Sequence, residues 1–335
     1  MIKKLSTALA VVSLCLALGA GTALAQTLKL QCAYPQTAYA GQSTQYFADQ
    51  VKELTGGKLT IKVFWPGQLT KTREAFEAVR MGMIDAYSGS MLYFAGKVPE
   101  INCQWLPFNW SNPAEAKDVL LNKGYIEVLA EAIAKHGVTY LAPLSVSTMG
   151  LMTKFPINKL EDLEGKKIRA VGMEAHIVKA LGASAVAIAG AEQYLALQRG
   201  TVDGTDYPWY TMKKYKFYEV LDYISAPALH TPGVIEIIIN KKVFDKLPAD
   251  QQKAVKQAAL NAMDRSFKLS VKYDKEALEF AKQKNLKVIT LSDAELARFR
   301  AKLMPLYDAM AKKSPASAKL VEILKDHLKA KGVKF

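Results

Sequence analysis

The sequence predicts an α/β chain of two lobes, each a mostly parallel sheet flanked by helices and joined to the other by crossing strands. Three observations carry this prediction. Strand-period and helix-period segments alternate in two separate series, one before residue 91 and one after residue 165. The 335 residues exceed what a single hydrophobic core usually holds. No Pro-, Gly- or Ser-rich linker separates the halves and no internal repeat is visible, so several crossings rather than one tether should join the lobes.

The first series opens with LKLQCAYP, a strand ending at Pro35. STQYFADQVKELTG follows as an amphipathic helix, with Phe47, Val51 and Leu54 on one face and Gly56 as its stop. KLTIKVFW alternates as a strand, TREAFEAVRMG reads as a helix closed by Gly82, and IDAYSGS is a strand running into a small-residue loop. A Pro- and Trp-rich passage leads to a helical region over residues 113–135, and GVTYLAPLSVS is again a strand. NKLEDLEG then turns into the short strand KKIRAVG, which opens the second series: HIVKALGA as helix, SAVAIA as strand, AEQYLALQRG as helix and TVDGTDY as strand. GVIEIIINKKVF is apolar for too long to be an isolated edge and is expected to return to the first lobe. From Pro248 to Lys329 the pattern is mostly helical. The predicted lobes are residues 26–146 with a returning segment at about 233–272, and residues 147–232 with C-terminal helices at about 273–335.

Residues 1–25 read as a secretory signal peptide: MIKK supplies positive charge, LSTALAVVSLCLALGAG is apolar, and Ala23-Leu24-Ala25 offers cleavage after Ala25. A membrane anchor is the alternative, but the run is short and the small residues stand where cleavage requires them. No later run is long and apolar enough to span a bilayer, so a periplasmic location is expected. The formal charge falls from +14 to +12 when Lys3 and Lys4 leave with that segment. The lysines are interspersed with acids and there is no arginine-rich tract, which suits small anions or solubility and not nucleic acid. Cys32 and Cys103 sit in apolar contexts and are expected as buried free thiols, with a disulfide as the alternative. The four histidines are scattered, and no G-x-S-x-G, P-loop or G-x-G-x-x-G occurs. No metal, cofactor or catalytic residue is therefore expected.

In open α/β sheets, ligands bind beyond the carboxyl ends of the strands. Those ends place Tyr34, Trp65, the stretch Tyr87 to Ser90 with Ser88 and Ser90, Met149, Arg169, and Asp206 with Tyr207 as candidate ligand contacts. Aromatics, hydroxyls and one guanidinium without a nucleophile and base describe a pocket rather than a reaction centre. Each has a plainer reading. Tyr34 and Trp65 also suit a core, Asp206 also suits a helix cap, and Arg169 also suits a surface strand whose charged head reaches water.

GKKIRAVG, LGASAVAIAGAEQYLALQRGTVDGTDYP, FYEVLDYIS and INKKVFDKLPADQQKAV, in this order, resemble the DctP-type substrate-binding proteins of TRAP transporters, as does GQLTKTREAFEAVRMGMIDAYS. The resemblance covers nearly all of the chain after residue 25. It implies a two-lobed periplasmic binding protein fold with a long helix spanning both lobes. The implied function is capture of a small organic anion in an interlobe cleft and delivery to small and large TRAP permease subunits in the membrane. It also implies that Arg169 pairs bidentately with the ligand's anionic group. Met149 stands about where many members carry a second anion-binding arginine, which narrows the expected ligand to one anionic group: a short hydroxy acid, keto acid or sulfonate, with isethionate first. An exported enzyme acting on a small organic acid, or the ligand-binding partner of a sensor, are the alternatives.

Overall fold

The structure is a computed structural model that describes residues 26–333, so the signal segment expected at residues 1–25 lies outside the described residues. Eleven strands occur among them: β1 (Gln26–Cys32), β2 (Leu59–Phe64), β3 (Ala86–Gly89), β4 (Val138–Ser145), β5 (Met149–Thr153), β6 (Lys167–Arg169), β7 (Ser184–Val186), β8 (Gly204–Pro208), β9 (Tyr223–Ala226), β10 (Val234–Asn240) and β11 (Lys287–Thr290). They form two sheets, in the orders β2-β1-β3-β10-β4 and β11-β9-β5-β8-β6-β7. The pairs β1/β2, β1/β3, β6/β7, β6/β8 and β9/β11 are parallel. One strand in each sheet runs against its neighbours, β10 in the first and β5 in the second. Each of these enters from the other lobe, so the chain crosses between lobes along strands and the predicted two-lobed α/β fold is present. β10 is buried at every residue, which explains its near-continuous apolar run VIEIIIN; Glu236 and the terminal Asn240 are the exceptions.

Three features depart from the sequence reading. The helical region over 113–135 is two helices, Pro113–Asn122 and Tyr125–Ala134, because Gly124 between them takes φ 75°, a backbone state that residues with a Cβ adopt at a cost. The short strands β5, β9 and β11 had no clean alternation to announce them. The C-terminal helices divide between lobes instead of all joining the second. Helix Asp293–Leu303 packs on helix Met173–Ala180, whereas helix Pro315–Ala330 lies on helix Tyr125–Ala134 and the turn Pro99–Trp105. Its stripe of Leu320, Val321, Leu324 and Leu328 is covered there.

The 35-residue helix Ala249–Gln283 packs on helix Tyr39–Leu54 and β4 of the first lobe and on helix Thr211–Lys214 of the second. Near its C-terminal end it grips the β4–β5 crossover. The Asp274 carboxylate accepts the Thr148 backbone N–H and the Thr148 hydroxyl, both at 2.8 Å, and the Ser147 hydroxyl. Ser147 itself has φ 70°, so the crossover turns through a left-handed residue held by its neighbours. Cys32 and Cys103 are free and buried.

Candidate ligand-binding site

Arg169 ends β6, and its side chain is 1% exposed. A buried guanidinium needs its donors matched, because an unpaired buried charge costs several kcal/mol or more. Nε donates to the Ile188 carbonyl at 3.0 Å. Nη1 donates to Glu174 Oε2 at 2.9 Å and to the Asp206 carbonyl at 3.3 Å. Nη2 reaches out of the second lobe to the Tyr93 hydroxyl at 2.8 Å. The surface reading of this arginine is thereby excluded, and so is a fork with both arms free.

Glu174 comes to Arg169 through a local device. Gly172, at φ 52°, reverses the chain into helix Met173–Ala180, and Glu174 in its first turn folds back to accept the Val171 N–H at 3.0 Å. A Cβ on Gly172 would also stand 2.7 Å from Leu92 of the first lobe, so glycine lets the lobes meet here. Burial pushes the Glu174 carboxyl up, the Arg169 guanidinium pulls it down, and the nearby Asp206 adds to the rise. Burial works against the Arg169 charge, but Tyr93 and Glu174 outweigh it and its pKa is raised.

An aromatic wall surrounds the guanidinium. Its carbon lies 5.0 Å from the Tyr207 ring centroid and 5.8 Å from that of Tyr93, cation–π distances on two sides. Tyr34 is buried, and its phenol is raised well above its ordinary value by burial, with Tyr207, Tyr210, Tyr93 and Tyr87 adding to the rise. The structure therefore brings Arg169, Tyr207 and Tyr34 together. Gly190 completes the wall: a Cβ there would stand 2.2 Å from the Tyr207 hydroxyl.

The other sequence candidates make different contacts from those expected. Ser88 is turned to helix Tyr39–Leu54, where its Oγ is 2.7 Å from Thr44 Oγ1. Ser90 caps the turn Met91–Phe94 through the Leu92 N–H. Trp65 is tied by its backbone to Gln31 and Gln68. Met149 is buried and pairs by its backbone with His230. Thr205 stands opposite Arg169 in the β6/β8 register, so Asp206 faces the other side of the strand. Its carboxylate lies 3.8 Å from His230 Nε2, and only its carbonyl touches Arg169.

Sequence reasoning missed Tyr93, Glu174 and the carbonyl of Ile188. Tyr93 sits in the apolar run MLYF without any polar signal. Glu174 had one, an acid directly beyond a Gly turn that follows a buried arginine. Outside Tyr93 a cavity of about 700 Å³ opens between the lobes, lined among others by Arg73, Gly172, His176, Lys179 and Lys313. Its named ionisable walls are basic, and Arg73 bridges the lobes by donating to the Ala187 carbonyl.

Residues 32–314 match the model of the DctP family, described as bacterial extracellular solute-binding protein, family 7. The chain belongs to this family. It is thus a TRAP solute-binding receptor of an extracytoplasmic family, and the exported-enzyme alternative falls away, because members are receptors. The 2,3-diketo-L-gulonate-binding periplasmic protein of Escherichia coli is 28% identical over 269 residues, 79% of this chain and 81% of that protein. A TRAP solute-binding protein from Xanthobacter autotrophicus with bound β-D-galacturonate is 26% identical, with a TM-score of 0.81 over 89% of this chain and 99% of that one. One from Rhodobacter sphaeroides in an apo open state is 27% identical, covers 92% and 99%, and superposes less well, at 0.69. Contacts at Arg169 and Arg73 join the two lobes here.

Proposed function

We propose that this receptor captures a small organic anion with a single anionic group at Arg169, between its lobes, and delivers it to small and large permease subunits in the membrane. The observation that carries the reading is the buried Arg169, fixed by the second lobe through Nε and Nη1 while Nη2 points to the first. A ligand touching both lobes favours closure by the difference in its affinity for the two states.

The charge balance supports one anionic group. Glu174 offsets much of the Arg169 charge, and Met149 supplies none, so a second carboxylate would find no cation among these residues. Tyr34, Tyr93 and Tyr207 offer rings and hydroxyls to a short polar body. Hydroxy acids, keto acids and short sulfonates, isethionate first, suit this arrangement, and the acids named for the relatives above support an organic acid.

Native mass spectrometry of the protein purified without refolding, followed by thermal melts with short hydroxy acids, keto acids, sulfonates and dicarboxylates, tests the reading. A co-purifying monoanion that raises Tm and is recovered unaltered is the expected result. A dicarboxylate that binds in preference to every monoanion would contradict it.

A further inference from the structure

A smaller cavity, of about 270 Å³, shares no lining residue with the surroundings of Arg169. It opens where three segments meet: the loop after the turn Pro99–Trp105, the connection from β9 to β10, and the C-terminal helices. Phe108, Trp110, Pro227, Met304 and Leu328 make its walls apolar. The two rings are held in place. Trp110 is buried, and its indole N–H donates to the Pro232 carbonyl at 2.8 Å. Phe108 has φ 60°, a left-handed backbone state that residues with a Cβ adopt at a cost, and its N–H donates to the Leu229 carbonyl at 3.0 Å. Two cations stand at the same cavity, and one of them is matched. Lys331 Nζ lies 2.6 Å from Glu115 Oε2 and 3.0 Å from Ser111 Oγ. Arg300 lies over the Phe108 ring, 5.5 Å from its centroid, and meets no carboxylate among the described residues. Its neighbour Arg298 pairs with both Glu161 and Glu295, so this helix offers acids on another face.

We propose that this cavity is a second binding site, for a small aromatic monocarboxylate whose ring lies against Phe108 and Trp110 and whose carboxylate pairs with Arg300. Size, surface and charge each select this class. The volume falls just under the range of about 300–1,000 Å³ typical of drug-sized ligands, so the occupant is small. Aromatic walls favour a flat apolar body that stacks or packs edge-on against them. The planar guanidinium fork matches the two oxygens of a carboxylate, which an uncharged ring lacks. This class differs from the one read at Arg169, where tyrosine hydroxyls suit a short polar body. Because the connection from β9 to β10 forms one wall, an occupant also holds the chain where it returns to the first sheet.

Ligand-observed NMR titrations with phenylacetate, benzyl alcohol and benzylamine, followed by hydrogen exchange, test this on the parent and on Arg300→Ala, Arg300→Glu and Arg169→Ala variants. Arg300 is exposed, so its substitutions leave the core untouched. Phenylacetate is expected to bind the parent and Arg169→Ala alike, and to slow exchange around residues 108–111 and 227–231. Arg300→Ala should weaken it at least roughly tenfold, as for loss of a charge-assisted contact, and benzyl alcohol should bind the parent about as weakly. Arg300→Glu should reverse the preference, taking benzylamine over phenylacetate. Absence of phenylacetate binding at millimolar concentrations overturns the proposal. So does binding that survives Arg300→Glu undiminished, or that disappears in Arg169→Ala and so places the acid in the interlobe cleft.

Discussion

Arg169 Nη1 and Glu174 Oε2 lie 2.9 Å apart in a pair whose side chains are 1% and 4% exposed, and this pairing decides what the guanidinium has left to offer. Glu174 fixes one arm and offsets its charge, so the site presents a single outward nitrogen rather than an open fork. Glu174→Gln keeps an acceptor for Arg169 and removes the charge. Affinity for a monoanion is expected to rise about 3- to 10-fold by calorimetry, because less of the Arg169 field is compensated. The same variant should lose ~3 kcal/mol of ligand-free stability, as a buried charge loses its partner.

Gly190 stands against Tyr207 with no room for a methyl group. Gly190→Ala should displace the Tyr207 ring from the guanidinium. An overpacking penalty of about 1–3 kcal/mol in denaturant unfolding is expected, together with at least tenfold weaker ligand binding. Unchanged affinity would show that the Tyr207 ring is not part of the site.

Asp274 ties the long helix to the interlobe crossover through three donors from Ser147 and Thr148. Asp274→Ala leaves the two Thr148 donors unmatched, while the Ser147 hydroxyl keeps the Ser270 carbonyl at 3.1 Å, and should cost about 2–4 kcal/mol. Hydrogen exchange should locate the loosening at residues 145–150 and at the C-terminal end of the helix, with the sheet cores unchanged.

Glu236 supplies the pH dependence. Burial pushes its carboxyl from an ordinary 4.5 up to about 8, against the Met91 and Gln104 donors that favour its ionised form. The folded protein therefore holds a proton that the unfolded chain has released, so stability falls as pH rises from about 4.5 to about 8. Glu236→Gln should flatten this slope by ~2–4 kcal/mol across the window, measured as denaturant midpoints at pH 5 and pH 8.5. A parent slope of the opposite sign, or equal slopes for parent and variant, would contradict the assignment.

The architecture was legible because two strand-helix series and the run VIEIIIN obey simple periodicities, and burial on one or both faces dictates those periods. Arg169 was legible as a charge at the end of a short apolar strand. Two of its partners were not: Tyr93 belongs to the other lobe, 76 residues away, and Ile188 contributes only a carbonyl. Ser88 and Asp206 misled for a related reason. Strand alternation turns every second side chain away, and one residue of register decides whether a hydroxyl or carboxylate meets Arg169 or the opposite face. Helix Pro315–Ala330 showed its apolar stripe plainly, but which lobe would cover it is a tertiary fact.

The most direct test of the account is calorimetric titration of Arg169→Ala with the small molecule that co-purifies with the parent protein. Loss of affinity by at least roughly a hundredfold, with a melting temperature showing that the variant is folded, is the expected result for removing the charge-assisted contact. Binding within twofold of the parent would contradict the account and move the ligand away from Arg169.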